Sequence, residues 1–366
     1  MSSTALFVRT VIIRDWRFLS VTIASCMVAA TVATFQYSVF NSFRNASAVV
    51  PRALAADFWV KAGSVECFDF PSPFSEDYAA ALARYLPNSI MRRVVFGFAP
   101  WRSPSGRRGN VAVVGIEGFG ISPTSFIANE SDLARLNIDR GASDLVQASI
   151  SETTLALQGT VDTLPTYLGA PYILVDFQTA RRLLHFDPTA VAFLAGNFEG
   201  ERPTDFRAQV EAARLRFPEV SIASADDFAA SSINYWQNKT GAGLAIGLAA
   251  ILALLLMVLL MANGVLRFIQ RYHIDLLSLL GHGATSRDVG RIVASVAAVI
   301  AVATLAATMV VTPLLVQLFK PLLPWAIFSI ADLIAPLIGV AIALIVTIVS
   351  ARTTIAEFAP DAVFRS

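Results

Sequence analysis

Four long runs without a charged residue constrain the fold of this 366-residue chain more than any other feature. They cover residues 18–43, 240–266, 292–319 and 333–351. A helix needs about 20 apolar residues to cross a bilayer, and lipid admits only helices and closed barrels as spanning structures. The chain is 55% hydrophobic and 15% charged, whereas soluble domains are about a quarter charged. We therefore predict four transmembrane helices.

The first run has an alternative interpretation as a cleavable signal peptide. A basic flank precedes it, and small residues occupy positions 29–33. The run nevertheless continues through Phe40, which is longer than the apolar core of a signal peptide. This length favours a membrane span.

The basic residues of the short segments predict the orientation of these helices. They cluster before the first run, between the second and third runs, and after the fourth: Arg9, Arg14, Arg17, Arg267, Arg271, Arg287, Arg291, Arg352 and Arg365. The loop at 320–332 carries one lysine. We therefore predict that residues 1–17, 267–291 and 352–366 are cytoplasmic and that 44–239 lies outside, as does the short loop.

The exterior segment, 44–239, alternates strand-like and helix-like patterns, which predicts an α+β domain in two lobes with a break near 110–170. Strands are predicted at 56–63, 90–101, 110–117, 171–177, 190–198 and 219–224, and helices at 75–86 (capped by Ser75), 178–186, 204–217 and 225–243, the last running into the second span. The stretch 118–168 reads as irregular. Acids slightly outnumber bases in this segment, which argues against a nucleic-acid surface.

Sequence motifs for catalysis or cofactor binding are missing. No P-loop pattern occurs, so the chain itself is not expected to bind ATP. The three histidines and two cysteines do not have the spacing of a metal site, and no nucleophile elbow is present. Ionisable residues are nearly absent from the four runs, which argues against a proton-driven carrier or an ion channel. We predict no catalytic, cofactor-binding or metal-binding residue, and a membrane-anchored enzyme is the least favoured class.

Two glycines in the second run, Gly243 and Gly247, have the spacing that lets two membrane helices approach closely. We predict a helix-pairing role for them, although the same spacing also arises by chance in spans rich in alanine and glycine.

The most informative stretch is the half-polar interruption between the second and third runs. Phe268, Tyr272 and Leu276 recur at helical spacing, as do Leu279 and Leu280 a turn later, while charged residues line another face. This periodicity predicts a short amphipathic helix over 267–281. Three roles fit it equally: an interfacial helix lying on lipid, a rigid connector, or a knob that docks into a soluble partner.

A helix stop and a restart follow this amphipathic pattern. Gly281-His282-Gly283 is typical of a helix terminus. Thr285 or Ser286 can cap a new helix, with Asp288 in its first turn. The third membrane helix is therefore expected to begin at this cap.

The arrangement of one span, a large exterior domain and three further spans resembles permeases of the MacB/FtsX/LolC type from ABC systems. The stretch "HIDLLSLLGHGATSRDVGR" resembles their cytoplasmic element, an acid followed eight residues later by the glycine of a Leu-x-x-[Leu/Met]-Gly motif. Leu277 and Gly281 match this motif, whereas His273 stands at the position of the acid and Asp275 lies two residues on. The ending "APDAVFRS" is similar to the Pro-x-x-x-Leu-Arg ending of the family, with Phe364 in place of leucine.

Two shorter motifs resemble the DevC-like branch of this family, whose members export glycolipid with a periplasmic adaptor. They are "DFWV" after the first span and "YWQNKTGAG" before the second.

The resemblance implies a division of labour between subunits. A separate ABC ATPase binds ATP, two copies of the permease pair in the inner membrane, and the exterior domain lies in the periplasm. The cytoplasmic helix is the coupling element, and the residues that the resemblance assigns to it are Arg271, His273, Asp275, Leu276, Leu277, Leu280, Gly281 and His282. ATP-driven motion then reaches the periplasmic domain, which expels a lipid or other amphiphile through an adaptor and an outer-membrane duct. An FtsX-like regulator that moves a cell-wall hydrolase and transports nothing is the alternative that this resemblance leaves open.

Overall fold

The computed structural model describes residues 10, 13–103, 106–136, 138, 147–150, 153–167 and 169–357, with the backbone alone at 147–150 and 350–357. The ending at 359–366 and the basic residue Arg9, on which parts of the sequence argument rest, lie outside these residues. The chain divides into two compact units. The helical unit comprises 1–41, 244–321 and 326–366, and the sheet unit comprises 42–243 and 322–325.

The bounds of the elements are as follows. The helices whose bounds are described are α1 (Trp16–Ala46), α2 (Val49–Ala53), α3 (Tyr78–Leu82), α4 (Leu133–Leu136), α5 (Phe177–Leu183), α6 (Phe206–Arg216), α7 (Ala225–Asn234), α8 (Ala242–Arg271), α9 (His273–Gly281), α10 (Ser286–Phe319) and α11 (Ile334–Glu357). The strands are β1 (Phe58–Ala62), β2 (Phe74–Ser75), β3 (Ser89–Arg102), β4 (Arg108–Ile116), β5 (Ser125–Asn129), β6 (Gln147–Ile150), β7 (Thr153–Val161), β8 (Tyr172–Asp176), β9 (Ala190–Val191), β10 (Phe193–Phe198) and β11 (Val220–Ser224). A π-helix covers Tyr235–Lys239, and 3-10 turns cover Glu130–Asp132 and Ile330–Leu333.

Four helices of the described chain are long and apolar enough to cross a membrane. They are α1, α8, α10 and the segment Ile330–Val349, which includes most of α11. The prediction of four apolar helices is confirmed. The second of them extends to Arg271, five residues past the predicted end of the span, because Phe268 and Ile269 continue its buried face.

The membrane-capable helices approach one another closely at two glycines. A Cβ added at Gly264 of α8 would lie 2.5 Å from the Thr22 side chain of α1, and one at Gly339 of α11 would lie 2.2 Å from Met257 of α8. A side chain at either position would require the facing side chain or the helix itself to shift. The core of the helical unit is therefore built from α1, α8, α10 and α11 together.

Nine strands of the sheet unit form one hydrogen-bonded sheet in the order β11-β1-β10-β3-β4-β8-β5-β7-β6. The pairs β4–β8 and β5–β7 are parallel, and the others are antiparallel. Alternate residues of β1 point to opposite faces, which is the period of a strand. Phe58 packs with Phe206 of α6, whereas Trp59 packs with Phe228 of α7. Helices therefore cover both faces of this end of the sheet.

The long strand β3 takes part in two pieces of sheet. Its residues 89–94 pair with β10, and its residues 94–102 pair with β4. Trp101 and Arg102 also pair with β6. This last pairing closes a ring of six strands, β3-β4-β8-β5-β7-β6. The two-lobe division remains a prediction, because β3 joins the ring and the open part of the sheet without a break.

Local sequence explains where several elements start. Asp176 caps α5 by accepting hydrogen bonds from the backbone nitrogens of Gln178 and Thr179 at 3.0 and 3.2 Å. Ser224 caps α7 in the same way through the nitrogen of Asp227, at 3.1 Å. Both caps end a strand and open a helix, so they fix the turns between sheet and helix.

Three sequence expectations about the sheet unit are wrong. Ser75 does not cap a helix over 75–86, because Phe74 and Ser75 pair with Ala190 and Val191; the helix there is limited to α3. The stretch 118–168 is not wholly irregular, since it contains β5, β6 and β7. The partners of β5, which are β7 and β8, lie far away along the chain, whereas β6 and β7 are neighbours in sequence and pair with one another.

The third error concerns the helix predicted over 225–243. It ends at Asn234, passes into the π-helix and stops at Gly241, whose φ of 73° is incompatible with a right-handed helix. The second membrane-capable helix therefore starts anew at Ala242.

Candidate coupling surface

The candidate site is the connection between α8 and α10, which the sequence singles out. The long helix α8 ends at Arg271, the short helix α9 begins at His273, and Tyr272 between them has a non-helical φ of −105°. Helix α9 ends at Gly281. Gly283 follows with a φ of 92°, the left-handed conformation that commonly terminates helices. The predicted stop over Gly281-His282-Gly283 is confirmed.

The predicted restart is confirmed as well. Thr285 is the N-cap of α10, and its hydroxyl accepts a hydrogen bond from the nitrogen of Asp288 at 3.3 Å. The Asp288 carboxylate in turn accepts one from the nitrogen of Thr285 at 3.0 Å. This reciprocal capping box satisfies two backbone donors that a helix start leaves open. It holds the far end of the connection firmly.

One face of α9 is buried within the helical unit. Leu276 is 5% exposed and Tyr272 is 7% exposed, and both belong to a core that includes Phe268, Val289 and Ile292. Because these neighbours lie on α8 and α10, the short helix is packed between the two long ones. Loss of Leu276 would leave a cavity in this core, which typically costs about 2–5 kcal/mol.

The other face of α9 is open to solvent. Of the predicted coupling residues, His273, Asp275, Gly281 and His282 are exposed, and Leu277 and Leu280 are half-buried. Their neighbour Ile274 is 68% exposed. Sequence analysis did not single out Ile274, although it lies one turn before Leu277 and Ser278 and breaks the polar pattern of that face.

Both histidines of this surface are held by the backbone. His273 Nδ1 lies 2.8 Å from the carbonyl oxygen of Gln270, and His282 Nδ1 lies 2.7 Å from that of Ser278. Because a carbonyl only accepts, Nδ1 is the donor in each contact. The Nε2 atoms of both rings are then the nitrogens that remain for a partner.

Arg271 differs from the other predicted coupling residues because it is engaged within the chain. Its Nε and Nη2 donate to the two carboxylate oxygens of Asp15 at 2.8 and 3.1 Å, and the Tyr272 hydroxyl donates to the same carboxylate. The guanidinium also lies over the ring of Phe18, 5.5 Å from its centroid. Asp15 directly precedes α1, so this bidentate pair ties the start of α1 to the end of α8.

The electrostatics of this tie favour the ionised acid. Hydrogen bonds from Arg271 and Tyr272 lower the pKa of Asp15 to about 2. Burial, together with the bond to Asp15, raises the pKa of Tyr272 to about 12. Asp15 was missed by sequence analysis. The available signal was that it is the only acid in the first 56 residues.

The opposite end of α1 is tied by a second carboxylate. Asn41 Nδ2 donates to Asp332 Oδ1 at 2.9 Å, and the nitrogen of Ser329 donates to the other oxygen at 2.9 Å. Asp332 is buried and lies in the 3-10 turn that leads into α11. Helix α1 is therefore pinned to α8 at one end and to the start of α11 at the other.

The two glycines of the predicted pairing motif lie at the start of α8. A Cβ at Gly247 would lie 3.2 Å from the ring of Phe40 in α1, and one at Gly243 would lie 2.6 Å from the Cα of Gln237. Their role in pairing two copies of the chain remains a prediction.

In the sheet unit, the segment that leads to α8 is held to the loop 66–70. Trp236 Nε1 donates to Asp69 Oδ2 at 2.9 Å, and the Tyr172 hydroxyl donates to Asp69 Oδ1 at 3.0 Å. Lys239 pairs with Glu66 at 2.5 Å. Two residues of the π-helix, Trp236 and Lys239, are therefore bound to the loop 66–70. Tyr172 of β8 binds the same loop through Asp69.

Asp69 is an unusual carboxyl group because it is 4% exposed and its two hydrogen-bond donors are neutral. Burial raises its pKa to about 6, although the bonds from Trp236 and Tyr172 oppose the rise. Sequence analysis did not identify it. Among the described residues, no three His, Cys, Asp or Glu side chains form a group that could hold a metal ion.

Three solved structures are similar to part of this chain. The periplasmic region of MacB from Actinobacillus actinomycetemcomitans is 7% identical, with a TM-score of 0.36, over 49% of this chain and 94% of its own. The extracellular domain of the noncanonic ABC-type transporter YknZ from Gram-positive bacteria is 11% identical, with a TM-score of 0.33. The match covers 46% of this chain and 99% of that domain. A domain of a permease protein from Porphyromonas gingivalis is 14% identical, with a TM-score of 0.31. The match covers 46% of this chain and 89% of that domain.

No family model matches the sequence, and no curated protein matches it either. At these TM-scores the three structures do not determine what the chain does. Any function must therefore be argued from its own residues.

Proposed function

We propose that the chain is the membrane subunit of an ABC-type exporter and that α9 docks into a separate ATPase. The observation that carries this proposal is the division of α9 into two faces. Leu276 and Tyr272 anchor it in the core of the helical unit, while Ile274 leaves a large apolar side chain open among polar neighbours. An exposed apolar anchor with a polar rim is the usual composition of a protein-binding surface.

A docking role explains this surface better than the two alternatives. An interfacial lipid helix is expected to carry a broad apolar face and basic residues, whereas the open face of α9 carries His273, Asp275 and Ser278 around Ile274. A mere connector does not need an exposed isoleucine. The sequence resemblance to ABC permeases, through Leu277 and Gly281, supports the same role.

Motion of α9 has a direct path along the chain. Force on α9 passes to α8 through Tyr272, and the Asp15–Arg271 pair passes it to α1. The π-helix lies upstream of α8 beyond Gly241, and Trp236 fixes it to Asp69 of the sheet unit. The three-residue joint Lys239–Gly241 is where helical geometry is interrupted. We propose that ATP-driven motion leaves the membrane helices by this joint.

The proposed topology follows the distribution of basic residues. The connection carrying α9 faces the cytoplasm with both chain ends, the sheet unit lies in the periplasm, and two copies pair in the inner membrane. ATP is bound by the partner ATPase, and this chain supplies no catalytic group. The near absence of ionisable residues in the spans supports export of a lipid or other amphiphile, passed by the sheet unit to an adaptor and an outer-membrane duct.

Site-specific photocrosslinking tests the docking proposal. A photoreactive amino acid at position 274 in the full chain, irradiated in intact cells, is expected to capture an ATPase with a P-loop. The matched control is position 215, because Leu215 is 87% exposed on α6 of the sheet unit. Capture of the ATPase from both positions, or of lipid alone from position 274, would contradict the proposal.

A further inference from the structure

A pocket of about 170 Å³ lies at the end of the β3–β4 hairpin in the sheet unit. Three segments distant in sequence form its described walls: residues 101, 103 and 107–110 at the hairpin end, helix α4, and the loop at 169–171 before β8. Trp101 and Leu136 are buried beneath it. The pocket is thus a concavity built by tertiary structure and not a groove within one loop.

The described wall of this pocket is strongly basic. Arg107, Arg108 and Arg135 line it with the polar side chains of Ser103 and Asn110, and no acid is among its described lining residues. Neither Arg107 nor Arg108 has an acidic partner within salt-bridge distance in the part of the chain that the structure describes. Two guanidinium groups there remain available to a ligand.

A buried acid interacts with the third arginine, Arg135. Asp132 is fully buried beside α4, and its Oδ2 accepts a hydrogen bond from the nitrogen of Thr166 at 2.9 Å. Burial raises the pKa of Asp132, and the charge of Arg135 partly offsets that rise. The charge of Asp132 therefore acts on Arg135, and its described interactions include neither Arg107 nor Arg108.

The backbone of the hairpin end is held in place. The nitrogen of Ser103 donates to the carbonyl of Arg107 at 2.8 Å, and the nitrogen of Arg107 donates to the Ser103 hydroxyl at 3.1 Å. Ser103 is buried. The backbone of Arg107 is consequently fixed to the buried Ser103, which reduces the entropy that a bound ligand must remove.

We propose that this pocket binds a phosphate group. Arginine forks match phosphate oxygens bidentately and form strong charge-assisted hydrogen bonds. The volume is that of about five or six water molecules and lies below the roughly 300 Å³ at which pockets for whole drug-sized ligands begin. The pocket therefore takes a phosphate group alone, either of a free phosphate or of a lipid headgroup whose tails stay outside.

Calorimetric titration of the full chain in a neutral detergent tests this proposal. Inorganic phosphate is one probe and glycerophosphoglycerol, a headgroup without tails, is the other. Saturable one-to-one binding of either probe is expected. The probe that binds more tightly shows whether the phosphate group comes from free phosphate or from a lipid headgroup. The double variant Arg107→Gln/Arg108→Gln is expected to bind at least about tenfold more weakly, the equivalent of about 1.4 kcal/mol.

Two further double variants separate a site from general electrostatic attraction. Arg84→Gln/Arg216→Gln removes the same charge at exposed positions of the sheet unit outside the pocket lining and should bind like the wild type. Arg107→Lys/Arg108→Lys keeps the positive charge but removes the bidentate guanidinium groups, so this variant should bind phosphate more weakly than the wild type. Melting temperatures near that of the wild type show that the variants fold. Absence of saturable binding, equal loss in the two glutamine variants, or wild-type affinity in the lysine variant would overturn the proposal.

Discussion

At the scale of single residues, the pKa values of two hydrogen-bonded carboxyl groups are shifted in opposite directions. Asp15 is stabilised as an anion by Arg271, and its pKa falls to about 2. Asp69 is buried with neutral donors, and its pKa rises to about 6. Burial and the charge of the partner together decide the difference, because Asp69 is buried with neutral donors whereas Asp15 is only half-buried and pairs with a guanidinium. Asp15 is therefore a permanent tie, whereas Asp69 changes charge in a physiological range.

Replacement of Asp69 by asparagine should remove a pH dependence of stability. The folded state binds the proton of Asp69 more tightly than the unfolded chain, so stability falls as pH rises from about 4 to about 6 and stays lower above it. The shift of about two pKa units corresponds to about 3 kcal/mol. Asparagine keeps an acceptor for Trp236 and can donate to the Tyr172 oxygen.

The expected result is a melting temperature that drops less between about pH 5 and about pH 8 for Asp69→Asn than for the wild type. Asp162→Asn, at an exposed position, is the matched control and should follow the wild type. Parallel pH profiles for all three proteins would show that Asp69 does not titrate in this range.

Substitutions of Asp15 and Arg271 should be strongly non-additive. Each single change, Asp15→Asn or Arg271→Gln, breaks the same bidentate pair, so the double variant should melt no lower than the worse single variant. Arg267 lies one turn earlier on α8 and is exposed, so Arg267→Gln should add independently to Asp15→Asn. Simple addition of the two effects in the Asp15→Asn/Arg271→Gln protein would mean that the tie contributes nothing to stability.

At the scale of elements, the short helix α9 is defined by how it ends. Gly283 adopts a φ of 92°, whereas Gly281 is the last helical residue, and a Cβ at either position would meet no atom within 4 Å. The two glycines therefore differ in backbone conformation and not in available space.

Alanine at these two positions should change stability in opposite directions. Gly283→Ala forces an L-residue into the left-handed region and should cost about 1–2 kcal/mol. Gly281→Ala improves helix propensity and should gain up to about 1 kcal/mol. Chemical denaturation of the detergent-solubilised chain measures both. Equal effects of the two substitutions would show that the turn at Gly283 relaxes freely.

The elements that sequence analysis placed well are those decided by neighbouring residues. The glycine stop after α9 and the cap at Thr285 depend on interactions within four residues, and the apolar runs determine the long helices. By contrast, β5 forms because it pairs with β7 and with β8, and both of these strands lie elsewhere along the chain. The partner of Arg271 is Asp15, 256 residues away. No local pattern contains such information.

At the scale of the whole molecule, the proposed function depends on one connected path. It runs from α9 through α8 to the π-helix, where the chain enters the sheet unit. The proposal assigns to the helices on this path the transmission of motion, which agrees with the uncharged runs at 240–266 and 292–319. The arginine pocket lies off this path, and its phosphate site can therefore fail without affecting the coupling proposal.

The most direct test of that proposal is reconstitution of the chain with its ABC ATPase. Three full-length proteins are compared for retention of the ATPase and for stimulation of its ATP hydrolysis: wild type, Ile274→Asp and Leu215→Asp. Ile274 and Leu215 are both exposed, so neither substitution creates a buried charge. Wild type and Leu215→Asp should retain and stimulate the ATPase, and Ile274→Asp should lose both by at least about tenfold, as expected for a central interface anchor. Equal retention and stimulation by all three proteins would contradict a coupling role for α9.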